Sequence, residues 1–365
     1  TFEAKTGSTT TITGSGNTGI YNSGTLKLFG TVGMTLTNGS TGIFSNGGTI
    51  TSAGNNVTIS VDDSAIPTGV SKGVAVYARN GANVALQGAN LTIKEGASGV
   101  VSDGSTLDLT NSTIDYSGDG YAIYNTNSGT VNLTSSTLTL RGKAVGFQKD
   151  MSVPGSIITT GMNINVFSND VTVMNLRNVT GPLNLTGLNG NLATLAGLSP
   201  GSINNTDSAG ITYNNYKLAS IDGLNTYEID KDLDKSLAVT GGVDTDVDTF
   251  VKNLLVQRAI VNVQAGKKVT SHLNTSDLTA IGAATVVGLD MSSSSSATSN
   301  NETQINLASG STVSADRTDS GNGAVGLYIN YGKINTDASA TINVEKEANT
   351  VNDSAVGIYA VNGSE

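Results

Sequence analysis

The sequence predicts an all-β chain wound as a right-handed parallel β-helix, with three-stranded coils, a repeat of about 23 residues, and loop and helix insertions. Three observations carry this. A short phrase recurs: TGIYNSG at 18–24, TGIFSNG at 41–47, VAVYARNG at 74–81, SGVVSDG at 98–104, YAIYNTNSG at 121–129, AVGLYINYG at 324–332 and AVGIYAVNG at 355–363. The central apolar residues Ile20, Ile43, Val76, Val100, Ile123 and Phe147 are spaced by 23, 33, 24, 23 and 24 residues. Each phrase is followed by two further alternating apolar pairs, such as Val84/Leu86 and Leu91/Ile93, then Leu107/Leu109 and Ile114/Tyr116, then Val131/Leu133 and Leu138/Leu140.

Alternation at period 2 means strands. A 23-residue period leaves no room for the helix that joins parallel strands in a βαβ unit. Three strands per period, each needing a partner about 4.8 Å away, therefore stack coil on coil. The pairs Asn46-Gly47, Asn80-Gly81, Asp103-Gly104 and Asn362-Gly363 close the first strand. A tight corner there asks for positive φ, which Gly adopts freely and Asn or Asp tolerate. Stacked Asn side chains should also bond from coil to coil.

Strict period 2 within the phrase sends the central aliphatic inward. The small residues before it (Gly19, Gly42, Ala75, Gly99, Ala122) and the residues after it (Tyr21, Phe44, Tyr77, Val101, Tyr124, and later Tyr328 and Tyr359) then face outward. The result is an aromatic ladder on one outer face. It either stiffens the sheet by stacking or offers a platform to sugar rings or a partner protein.

The chain has 365 residues, 45 Gly, 4 Pro, no Cys and a formal net charge of −10. The missing Cys excludes disulfides and thiolate chemistry. The acidic balance argues against nucleic acid, which needs a Lys/Arg footprint. No apolar run approaches the ~20 residues of a membrane helix. No signal peptide is read in residues 1–30, and the last phrase stops short at Glu365, so the chain reads as a fragment of something longer.

Regular coils are expected over 1–149 and 324–365, with irregular coils and insertions over 150–323. The first break, about 61–72, places Asp62, Asp63 and Lys72 on a corner loop, where binding commonly resides. In the middle block, Val247, Phe250, Val251, Leu254 and Leu255 follow helical spacing, so a short amphipathic helix is expected about 246–258. The run 292–301 reads as a flexible loop.

Catalytic signals are sparse. His272, the only histidine, sits in a polar, loop-like setting. Asp244, Asp246 and Asp248 open like a calcium loop, but Thr249 and Leu255 replace the required Gly and Glu. The segment YEIDKDLDK puts Glu228, Asp230, Asp232 and Asp234 at period 2, a solvated face or a patch for a cation or a cationic partner. The carboxylates Asp103, Asp108 and Asp115 have no acidic counterparts one coil later, as a polysaccharide-cleaving site would want. No catalytic residue, metal site or cofactor is assigned. The candidate binding residues are Asp62, Asp63, Lys72, Tyr77, Tyr124, Asp230, Asp232 and Asp234.

The phrases AVGIYAVNG, AVGLYINYG and TGIYNSG resemble the passenger repeats of fusobacterial type V autotransporters, which are large surface adhesins. The likeness covers about 18–148 and 324–365. It implies a monomeric β-helical segment on the bacterial cell surface, anchored by a C-terminal β-barrel beyond this sequence. It also implies attachment to host cells or other bacteria through glycan or protein receptors. A polysaccharide-cleaving enzyme and a non-binding spacer are the alternatives.

Overall fold

A computed structural model describes residues 1–179, 183–184, 202–213, 215–223, 226–234, 236–240, 250–273, 285–292, 303–317, 323–346, 355–362 and 364. The strands are short, and every described strand pairing is parallel. No helix forms among the described residues, and so none is long and apolar enough to cross a membrane.

Two compact units divide the chain: 1–175 with 194–209, and 176–193 with 210–365. In the first unit each of the seven described coils up to Thr172–Arg177 contributes one strand to each of three sheets, and Ser202–Asn204 adds one more to the third. The refrain sheet takes the recurring phrase, for example Thr18–Asn22, Thr41–Asn46, Val74–Arg79, Ser98–Asp103, Tyr121–Thr126 and Val145–Asp150. The middle sheet takes the next strand, for example Thr49–Ser52, Asn83–Ala85 and Thr106–Asp108. The third sheet takes the last, for example Val57–Asp62, Asn90–Lys94 and Thr113–Gly118. Like residues fall on like residues. Ile20 pairs with Ile43, then Val76, Val100, Ile123 and Phe147 follow in one column. Leu26, Ile50, Val84, Leu107, Val131 and Ile157 form the second column. Met34, Ile59, Leu91, Ile114, Leu138 and Ile164 form the third. Apart from the half-buried Ile20 these side chains are buried, and each is worth about 1.5–3 kcal/mol of transfer free energy.

The second unit repeats the plan with longer intervals. Leu254, Leu289, Leu327 and Ile358 share a refrain column. Val261, Ile305 and Ile334 share a middle column, and Val269, Val313 and Ile342 a third.

The corner prediction holds at Gly47, Gly81 and Gly104, whose φ values are 72°, 72° and 60°. The interstrand amides bond as expected: Asn80 donates to Asn46 Oδ1 at 2.6 Å, and Asn362 donates to Asn330 Oδ1 at 2.9 Å.

Three expectations are corrected. First, the small residue of the phrase does not face outward. Ala75 and Ala122 are fully buried, beside the equally buried Val76 and Ile123. The strand bends there, so two consecutive residues face the core, and the pairing register skips Gly42/Ala75 and Gly99/Ala122. Only a small residue fits, because the carbonyl of the next coil closes in on that position. Second, the chain at 250–257 is a strand, Phe250–Gln257, not a helix, and residues 246–249 lie outside the described set. Leu254, Leu255, Val256 and Gln257 are all buried, so this half of the strand is covered on both faces, and a doubly covered strand carries no clean period 2. Third, His272 lies on the strand Lys268–Leu273, with Nδ1 2.8 Å from Asp316 Oδ2 of the next coil, and not in a loop. The run 293–301 lies outside the described residues.

Past the bend, alternation resumes and turns a residue inward that is polar in every coil but one. Asn22, Ser45, Ala78, Ser102, Asn125 and Lys149 stack in register at the corner between refrain and middle sheets. The polar members bond carbonyls of that turn. Ser102 Oγ donates to Ser105 O at 2.6 Å, Asn125 Nδ2 to Gly129 O and Ser156 O at 2.9 and 2.8 Å, and Lys149 Nζ to Gly155 O at 2.5 Å. Burial lowers the Lys149 ammonium below its ordinary pKa. At these coils the column supplies donors to carbonyls of tight backbone turns that lie against the narrow core.

Candidate functional site

The insertion at 61–73 leaves the corner between the third strand Val57–Asp62 and the refrain strand Val74–Arg79. Its base is built from the candidate residues themselves. Asp63 is 1% exposed and accepts the Gly39 N–H at 2.8 Å and the Gly73 N–H at 2.5 Å, tying both ends of the loop to the neighbouring corner. Asp62 accepts from Ser64 through N–H (3.1 Å) and Oγ (2.5 Å) and pairs with Lys94 at 3.3 Å. The Ser64 bonds come first among the causes that hold its carboxyl below the usual range. Lys72 donates to Asp119 and sits 3.7 Å from Glu95. These three charges therefore hold the loop to its coil.

The Lys72–Asp119 clasp fixes a pH window. The bond from Lys72 lowers the Asp119 pKa, and the same bond raises that of Lys72. A depressed carboxyl stabilises the fold above its unfolded pKa and loses that contribution as pH falls through the folded value. Lys72 contributes below its unfolded pKa and loses its share only at strongly alkaline pH. Acidification below about pH 4 should therefore loosen the loop. In a 15N-labelled sample the amide signals of 64–73 should move on titration to pH 3, and Asp119→Asn should produce the same shifts at pH 7. Signals indifferent to both changes would rule the clasp out.

The refrain sheet carries the aromatic residues on its outer face. Tyr21 and Phe44 are 5.5 Å apart between ring centroids, and Phe44 and Tyr77 are 5.2 Å apart. The Arg79 guanidinium lies 4.9 Å over the Phe44 ring. Polar groups border the strip. Asn46 donates to the Tyr21 hydroxyl at 3.3 Å, and the Tyr77 hydroxyl donates to Asp103 at 3.3 Å. Burial is the leading cause raising the Tyr77 phenol above its ordinary pKa. Tyr21 remains 58% exposed. The ladder is interrupted one coil on, where Val101 carries no ring, and Tyr124 instead meets Tyr121 of its own strand at 5.4 Å. In the second unit Tyr328 and Tyr359 stack at 5.7 Å.

The acidic segment does not form a four-carboxylate face. Its strand ends at Ile229, and the chain then turns a corner through Asp230–Asp232 before Leu233 inserts into the core beside Val269. Glu228 faces outward on the middle sheet and bonds Asn262 and Gln264. Asp230 is half-buried, Asp232 accepts the Lys268 N–H at 3.0 Å, and Asp234 is exposed. The turn separates groups that period 2 would have aligned. No cluster of three or more His, Cys, Asp or Glu side chains able to hold a metal occurs among the described residues.

Sequence reasoning missed the outer amide ladder that begins at Glu228. Its residues are one per coil, at Asn262, Asn306 and Asn335, in strands whose registers were not assigned from the irregular middle block. The repeated pattern NV, NL, NT at those positions was the available signal. No protein-family model, curated protein or solved structure matches this chain.

Proposed function

We propose that the chain is an adhesive segment of a bacterial surface protein of the autotransporter-passenger kind, attaching to host cells or other bacteria through glycan or protein receptors. The observation that carries the reading is the strip Tyr21–Phe44–Tyr77, held on a stacked sheet and bordered by Asn46, Arg79 and Asp103. Partly exposed aromatics with adjacent hydrogen-bonding groups are the chemistry of a recognition surface. The β-helix supplies rigidity, so the strip presents itself without an ordering cost. Within this reading, recognition moves from the 61–72 loop to the sheet faces, because Asp62, Asp63 and Lys72 are occupied in holding their own loop.

Beads coated with the chain should bind epithelial cells or partner bacteria, and the double variant Tyr21→Ser/Phe44→Ser should bind several-fold less. Equal capture by the variant would remove the strip from the mechanism. Absence of capture by the parent chain would favour the spacer reading, in which the segment only holds other parts of a longer protein apart.

A further inference from the structure

A groove of about 300 Å³ lies along the outer face of the middle sheet in the second unit, lined by Glu228, Asn262, Gln264, Asn306, Asn335 and Asp337 around Ala308. We propose that this groove binds one neutral sugar ring, gripped edge-on by the amide ladder. The proposal deepens the adhesive reading, on which its biological role rests, by naming a ligand class and a second place of recognition.

The ladder is a directed chain. Asn335 Nδ2 donates to Asn306 Oδ1 at 2.7 Å, Asn306 Nδ2 to Asn262 Oδ1 at 2.7 Å, and Asn262 Nδ2 to Glu228 Oε1 at 2.5 Å. A primary amide has two N–H donors and two carbonyl lone pairs. The ladder uses one donor of each Asn, and one lone pair of Asn262 and Asn306. A free donor and a free acceptor therefore stand side by side on the outer face, repeating every ~4.8 Å. Neighbouring hydroxyls on a pyranose each donate and accept, so they match such paired groups.

Charge and space narrow the choice. Glu228 and Asp337 flank the amides, which disfavours uronic acids, sialic acids and phosphate esters. A cation is poorly served, since Glu228 Oε1 and Oε2 already accept from Asn262 and Gln264, and Asp337 Oδ2 accepts the Ser309 N–H at 3.0 Å. Along the strand edge, Gln264, Ala308 and Asp337 occupy equivalent places in successive coils, each donating its N–H to the coil before. Ala308 is the smallest of the three and leaves a dimple between the polar side chains of Gln264 and Asp337, and its methyl group offers a floor to the C–H face of a ring. The volume lies at the lower limit of small-molecule cavities, which suits one ring and not a chain of them.

Saturation-transfer NMR on the whole chain tests this, with galactose, glucose and N-acetylgalactosamine as neutral probes and N-acetylneuraminic acid and glucuronic acid as anionic ones. Transfer is expected to at least one neutral sugar and to neither anion. Ala308→Gln repeats the Gln264 side chain one coil on and fills the dimple. It should cut affinity about tenfold with circular dichroism unchanged, a loss of the order of one hydrogen-bonded contact. Asn306→Ser, which breaks the ladder at its centre, decides the matter if Ala308→Gln misfolds. No transfer to any neutral sugar, or equal transfer in a folded variant, overturns the proposal. Bead capture in parallel separates the two ideas. Capture without sugar transfer overturns the groove and spares the adhesive role; sugar transfer without capture supports the groove and sinks that role.

Discussion

Asp63→Leu is expected to lower the unfolding free energy by about 4 kcal/mol, a large effect for a residue at a loop base. The side chain is 1% exposed, and each carboxylate oxygen accepts one backbone N–H, from Gly39 and from Gly73. Hydrogen bonds to a charged group contribute about 1.5–3 kcal/mol each, and removing the acceptor leaves two donors without a partner. Leucine fills the volume but offers no acceptor. Asp63→Asn keeps one carbonyl oxygen and turns an NH2 toward the other amide, so it should recover only part of the loss. Chemical denaturation of the three proteins gives the order directly. A leucine variant as stable as the parent would show that the loop base is held by something other than this carboxylate.

Gly99→Val should cost about 3 kcal/mol, the scale of an overpacked core. A Cβ at Gly99 would lie 2.6 Å from the Ala122 carbonyl oxygen and 3.5 Å from Ile93 Cδ1. The first neighbour is backbone inside a parallel ladder and cannot move aside as a side-chain tip would. Alanine occupies the same place in the adjoining coils at Ala75 and Ala122, so Gly99→Ala should be milder, at about 1 kcal/mol. Thermal unfolding would separate the two variants by several degrees. A valine variant melting with the parent would mean that the bend opens freely.

The contrast between these positions shows what the sequence reveals and what it hides. Registers such as Val84–Leu107–Val131 and Leu91–Ile114–Leu138 were legible because spacing repeats and each side chain has one role. The glycine corners were legible because positive φ restricts residue choice. The bend inside the phrase was not, since a Gly or Ala next to an aliphatic looks the same whether it faces solvent or a carbonyl. The inward column from Asn22 to Lys149 was hidden for a related reason. Polar residues in a strand are read as exposed, yet here they answer carbonyls of a turn that no single coil reveals. The strand at 250–257 imitated helical spacing because its residues 254–257 are buried on both faces and show no period 2. The acidic segment misled in the opposite direction: period 2 continued past the point where the backbone leaves the strand.

The corner tied by Asp63 has a practical consequence. Residues 63–73 stand where residues 95–97 turn in the following coil, yet the refrain strands on either side, Thr41–Asn46 and Ser98–Asp103, keep register with Val74–Arg79. Length added at that corner is absorbed outside the stack. The corner is thus an exchangeable cassette. Foreign peptides grafted between Asp63 and Gly73 should be displayed at a fixed height on the coil stack, provided the aspartate and the glycine that clasp the ends are kept.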